Sequence, residues 1–96
     1  MDAATTMVTL RVEYLPLLRK YQLMRYQNGS SDVLAYATSP LDLVERVTIF
    51  LRKDSTREYE LSCSPAAWKL LTTQERGVLE GIVDLHKQIV SAKINP

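Results

Sequence analysis

Residues 17–38 read LLRKYQLMRYQNGSSDVLAYAT, and the reading of this stretch decides between a helix and a sheet at the centre of the protein. As a helix it places Leu17, Tyr21 and Met24 on one side, with Leu18 nearby. As a strand it sets Tyr21, Leu23 and Arg25 against Gln22, Met24 and Tyr26. Neither template fits cleanly, so the residues that follow must decide. Asn28-Gly29 is a hairpin turn signal, because both residue types accept the positive φ that tight hairpin turns demand. Beyond it the chain alternates again, with Val33, Ala35 and Ala37 against Leu34 and Tyr36. A strand needs a partner, and the partner adjacent in sequence is the one most often used. The stretch therefore reads as a hairpin.

Upstream, Val8, Leu10, Val12 and Tyr14 alternate with Thr9, Arg11 and Glu13, the period of a half-buried strand. Leu15-Pro16 ends it, since proline cannot donate to a ladder. Residues 1–6 are small and polar and are expected to fray, which leaves residues 7–94 as a single domain.

Downstream, Ser39-Pro40-Leu41-Asp42 is a helix start: serine caps, proline takes the first helical position, and Asp42 faces the positive end of the dipole. A short helix over Pro40–Arg46 is expected. Val47-Thr48-Ile49 is β-branched and favours a strand. Val47–Arg52 and Arg57–Ser64 then read as a second hairpin around Lys53-Asp54-Ser55-Thr56. In its second arm Tyr59, Leu61 and Cys63 face the core, and Glu58, Glu60 and Ser62 face water. Ser64-Pro65 repeats the helix-start signal for a helix over Ala66–Leu71, anchored by Trp68. Thr72 and Glu75 form a capping box for a long amphipathic helix over Thr73–Ala92. Its apolar stripe is Val78, Leu79, Ile82, Val83, Leu85, Ile89 and Val90. The sum is an α+β fold: an antiparallel sheet of four to five strands in two hairpins, with a short connecting helix and a long C-terminal helix packed on one face.

Composition narrows the functional classes. The chain has 96 residues, 46% hydrophobic and 24% charged, which suits one globular domain. Twelve Lys and Arg stand against eleven Asp and Glu, for a net charge of +1. The charges are mixed: four basic and three acidic in residues 1–38, four and five in 39–64, four and three in 65–96. A duplex-DNA binder shows a basic stripe, and none is present. Cys63 is the only cysteine, so no internal disulfide can form. The start MDAATTMVTL has neither a basic region nor an apolar core, so no signal peptide is expected. No apolar run approaches the length of a membrane span. The expected location is the cytoplasm, or the cytoplasm of a host cell.

No catalytic motif is present. His86 lies at the edge of the stripe and reads as a helix-surface residue. As a general base His86 would need a nucleophile, Cys63 or a serine; a Cys63–His86 pair is the enzymatic option, but no catalytic signature surrounds Cys63. One histidine and one cysteine cannot close a structural zinc site, and Glu58 and Glu60 read as a solvated strand face. No metal and no cofactor are expected. Gly77 and Gly81 lie four apart in the long helix, each at a cost of about 0.8–1 kcal/mol against alanine. Close approach by a neighbouring element is one reason for them, and accident is the other.

Tyr14, Tyr21, Tyr26, Tyr36 and Tyr59 carry the functional expectation. Tyrosine packs well on strands and is favoured at protein interfaces. A small, non-enzymatic protein-interaction module is expected, acting as a regulatory subunit, adaptor or inhibitor of a larger protein. Small single-domain accessory proteins of phages and viruses often have this profile. The expected partner surface is the first hairpin: Tyr21, Leu23, Met24, Tyr26 and Tyr36, with Arg25 at the rim. The alternative is a single-stranded nucleic-acid binder that uses the same hairpin, with Arg11, Arg19, Lys20 and Arg25 on phosphates. An open sheet with one long helix also leaves self-association open.

Overall fold

In the computed structural model, which describes residues 8–54 and 56–94, the chain forms seven elements. They are β1 (Val8–Leu15), β2 (Lys20–Gln27), β3 (Ser30–Ala37), α1 (Pro40–Lys53), β4 (Tyr59–Cys63), α2 (Pro65–Leu70) and α3 (Thr73–Ile94). The expected frayed end, residues 1–6, lies outside the described residues.

The first three strands form a meander. Pro16 to Arg19 turn β1 into β2, with the Leu18 amide bonded to the Leu15 carbonyl at 3.2 Å and Arg19 at φ 52°. Asn28 (φ 52°) and Gly29 (φ 81°) turn β2 into β3, as the turn chemistry requires. Val12 pairs with Leu23 across β1 and β2, and Leu23 with Ala35 across β2 and β3. The register of the second pair shifts between Leu23 and Met24, so Leu34 is the extra residue of a bulge.

The fourth strand departs from expectation. The sheet order is β3-β2-β1-β4, and β4 runs parallel to β1, with Leu10 opposite Leu61 and Val12 opposite Cys63. The sheet is thus mixed, with four strands, and the described residues form no second hairpin. The cause is α1, which runs 14 residues rather than ending at Arg46. Val47, Thr48 and Ile49 stay helical because Leu43, Val47 and Leu51 recur every four residues and face one core, each 3% exposed or less. Burying such side chains stabilises by about 1.5–3 kcal/mol each, whereas a β-branched residue costs at most about 0.7 kcal/mol in a helix. Extending a helix already nucleated at Ser39 also costs less than starting a new strand. Thr48 returns its hydroxyl to the Val44 carbonyl at 2.8 Å, so its polar atom is satisfied within the helix. A helix of this length returns the chain to the far end of the sheet, and a parallel strand follows from that.

The caps form as read. Ser39 Oγ accepts from the Asp42 amide at 3.1 Å, and Ser64 Oγ from the Ala67 amide at 3.2 Å. The Thr72 amide donates to Glu75 at 2.8 Å while the Glu75 amide donates to Thr72 at 3.1 Å, the reciprocal capping box. The buried side of α3 is narrower than its apolar pattern. Leu79, Val83, His86 and Val90 are buried, whereas Val78, Leu85 and Ile89 are 44–57% exposed. The core joins Val8, Leu10, Val12, Tyr21, Leu23 and Tyr59 of the sheet to residues of all three helices. The helices therefore lie on one face of the sheet, and no described element covers the other.

Candidate functional site

Strand alternation divides the expected hairpin surface between the two faces of the sheet. Tyr21 and Leu23 are 5% and 1% exposed and belong to the core, so they are not part of a partner surface. Tyr21 makes an edge-to-face contact with Tyr14, ring centroids 5.2 Å apart. Burial first, and Glu75 second, raise the pKa of its phenol. Arg25 stands opposite Leu10 on the helix side, paired with Asp32 at 2.8 Å, and is not at the rim of the outer surface. Met24, Tyr26 and Tyr36 remain. They point to the uncovered face, where Val33 stands opposite Met24 across β2 and β3.

Tyr26, Val33 and Tyr36 are 40–47% exposed, and Met24 is half-buried. Weak polar contacts order this patch. The Tyr26 hydroxyl lies 3.9 Å from Met24 Sδ, and Gln22 Nε2 lies 3.5 Å from the Tyr36 hydroxyl. Beside it, Arg11 donates to Ser62 Oγ at 2.8 Å and pairs with Glu13 at 3.3 Å. Thr9, Arg11, Glu13, Tyr26 and Ser62 line a shallow depression there. The face is therefore apolar over β2 and β3 and polar over β1 and β4. Tyr, Met and Arg are the residue types enriched at protein interfaces, and a polar rim beside an apolar centre is the usual anatomy. Three eight-residue strands about 26 Å long and one five-residue strand about 17 Å long, spaced about 4.8 Å apart, present roughly 450 Å² per face, so a matched pair comes close to the roughly 1,000 Å² that specific interfaces need.

The four cations of the nucleic-acid reading do not share a surface. Arg11 is on the outer face, Arg25 is on the helix side, and Arg19 and Lys20 lie where β1 turns into β2. The tyrosines divide likewise: Tyr21 and Tyr59 are buried, Tyr14 is half-buried, and only Tyr26 and Tyr36 face solvent.

His86 is not a surface residue. It is 6% exposed, and its Nε2 lies 2.8 Å from the Arg57 carbonyl. A carbonyl can only accept, so Nε2 carries the hydrogen in that bond. The ring also packs 5.7 Å from Tyr59, which meets Phe50 edge-to-face at 5.3 Å. His86 thus ties α3 to the segment that enters β4. Tyr59 donates its hydroxyl to Asp54, which also accepts from the amide and hydroxyl of Thr56. Burial opposes the charge on Asp54, but the bonds from Tyr59 and Thr56 outweigh it, and its carboxyl lies below the ordinary range. Burial and that same bond push the Tyr59 phenol well above its ordinary value. These groups fix the α1–β4 connection.

Cys63 stands four residues beyond Tyr59, roughly 13 Å along the strand, so Cys63 and His86 are not brought together. Burial pushes the Cys63 thiol up to about 11, with Glu80 adding to the rise and Arg11 opposing it. Cys63 shares a cleft with Leu61, Pro65, Trp68 and Glu80 that the sequence did not reveal, because its walls come from β4, α2 and α3. Gly77 and Gly81 face open space, with nothing within 4 Å of a built Cβ at either. No neighbour among the described residues therefore explains them. No three His, Cys, Asp or Glu side chains converge among the described residues, and no helix among them is long and apolar enough to cross a membrane.

These features define an α+β domain with one helix-covered sheet face and one bare face. No family model matches the chain, and no curated protein or solved structure matches it either.

Proposed function

We propose that the protein is a non-enzymatic interaction module, a regulatory subunit, adaptor or inhibitor, that binds another protein through the bare face of its sheet. One observation carries this reading: Met24, Tyr26, Val33 and Tyr36 lie together on a sheet face that no described element covers. A half-apolar sheet face in water gains free energy when a partner covers it, at roughly 25 cal/mol per Å² of apolar area removed from solvent. Tyr26 and Tyr36 supply large contact area at low entropic cost.

The test is affinity purification from the native cell with the wild-type chain and with Met24→Lys/Tyr26→Lys, identifying what co-purifies. Both side chains sit outside the core, so the variant should keep its circular dichroism spectrum and lose the partner. Capture that survives the double substitution removes this face from consideration. Salt dependence separates the nucleic-acid alternative, because phosphate contacts weaken steeply between 50 and 200 mM salt, by on the order of a thousandfold for several contacts, and an apolar protein contact does not. Light scattering on the purified chain tests whether the partner is a second copy.

A further inference from the structure

The turn between β1 and β2 sets apolar side chains in water. Residues 16–20 are all exposed, Leu17 at 98% and Leu18 at 59%. The turn is closed: the Leu18 amide donates to the Leu15 carbonyl and the Arg19 amide to the Pro16 carbonyl, each at 3.2 Å. Arg19 takes a φ of 52°, the left-handed region that a side chain of its kind seldom adopts. Two leucines are thus fixed at the tip of a hairpin, beyond Leu15 and Lys20, the last pair of the ladder.

Topology brings further apolar side chains to the same end of the sheet. The strand β3 ends with Ala37 opposite Tyr21, next to Lys20, and α1 starts at Pro40, with Leu41 72% exposed in its first turn. The strand β4 finishes at this end too, since the Ser64 amide donates to the Val12 carbonyl, and α2 follows directly. Lys69 and Leu70 close α2 just before α3 begins at Thr73, and Leu70 is 52% exposed. Glu75, in the first turn of α3, acts on the Tyr21 phenol, so the junction of α2 and α3 lies at this end as well.

Charge and residue type select the occupant. Arg19 and Lys20 follow the two leucines and Lys69 precedes Leu70; all three are exposed, and none is in an ion pair among the described residues. The carboxylates nearby are engaged: Glu13 by Arg11, Asp42 by Arg46 and the Thr38 amide, Glu75 by the Thr72 amide. Glu45 is left, set back about 6 Å along α1 from Leu41. Leucine is under-represented among the side chains that hold protein interfaces together, so this end differs in kind from the tyrosine and methionine of the bare face. Aliphatic side chains with lysine and arginine beside them are the composition of surfaces that lie on anionic membranes. We propose that this end of the sheet docks on a membrane surface that carries anionic lipid, with Leu17 and Leu18 entering the acyl boundary and Arg19 and Lys20 among the headgroups. The contact is with one leaflet and is not a span. The inference is independent of the bare face, which the docked protein leaves open.

The purified full chain is sedimented with phosphatidylcholine vesicles, with and without about one third phosphatidylserine, and the bound fraction is read against lipid concentration. Binding to the phosphatidylserine vesicles should be at least about tenfold stronger, and should weaken between about 0.01 and 0.15 M salt as the screening length falls from roughly 30 to 8 Å. Each cation near such a surface contributes on the order of fivefold, so Arg19→Gln/Lys20→Gln should lose about 25-fold on these vesicles. Leu17→Ser/Leu18→Ser should lose at least about tenfold, because the leucines no longer leave water. Both variants change only exposed side chains and should keep the circular dichroism spectrum of the wild type. Met24→Ser/Tyr26→Ser should bind as the wild type does. No binding to phosphatidylserine vesicles, equal binding to both kinds, undiminished binding by either tip variant, or loss of binding in Met24→Ser/Tyr26→Ser overturns the proposal. Absent vesicle binding, together with a protein captured from the native cell by the wild type and not by Leu17→Ser/Leu18→Ser, also overturns it and assigns the tip to a protein partner.

Discussion

Replacing Gly77 and Gly81 with alanine should stabilise the protein. Both lie inside α3, neither has a positive φ, and a Cβ at either meets nothing within 4 Å. The substitution therefore adds no clash and removes only the backbone freedom of the unfolded chain. Each should contribute about 0.8–1 kcal/mol, and the pair about 1.6–2 kcal/mol. For a domain of this size a change of 1 kcal/mol moves the midpoint by about 4–8 °C, so the double variant should melt roughly 6–16 °C higher. Circular dichroism at 222 nm during thermal and urea denaturation measures this. An unchanged or lower midpoint refutes the reasoning, because it means that something approaches this side of α3 in solution. Repeating the melt over a hundredfold range of protein concentration identifies a second copy as that neighbour, since the penalty would then grow with concentration.

Two further outcomes test the α1–β4 connection and the thiol. Tyr59→Phe removes the phenol that donates to Asp54 and should cost about 1–3 kcal/mol at pH 7 by urea unfolding, the range for losing a bond to a charged group that keeps some solvent. The Asp54 carboxyl lies below its unfolded value of about 3.9, so its contribution is present above that pH and is lost as pH falls through the folded value; the gap between wild type and variant should therefore narrow progressively as pH is lowered below about 3.9, and a gap that stays constant throughout acid titration contradicts the assignment. Cys63, pushed up to about 11, should react with iodoacetamide at pH 7.5 at least about tenfold more slowly in the folded chain than in urea, and equal rates would place the thiol in water.

Local signals and tertiary context contributed unequally to this fold. The first hairpin was legible because Asn28 and Gly29 suit positive φ wherever they stand, and because Tyr21–Leu23 and Met24–Tyr26 fall on opposite sides of any strand. The caps at Ser39, Ser64 and Thr72 were legible for the same reason: each bond closes within three residues. The bare-face residues Met24, Tyr26 and Tyr36 were visible as one set of alternating positions. Grouping them with Tyr21, Leu23 and Arg25 went wrong because alternation separates two faces without saying which one the helices will cover.

Elements whose state depends on distant burial were decided only by the assembled structure. Val47-Thr48-Ile49 has the local preference of a strand, yet Leu43, Val47 and Leu51 gain more from a shared core than the β-branched residues lose in a helix. The longer helix turned an expected hairpin arm into a parallel strand. His86 went from an expected surface position to a buried one because the Arg57 carbonyl, 29 residues away, satisfies its ring nitrogen. Sequence by itself determined where strands turn and helices begin, since those bonds close over a few residues. Tertiary structure decided which way β4 runs, which side of α3 is buried and which face of the sheet stays bare, since each depends on apolar area gathered from elements far apart in the chain.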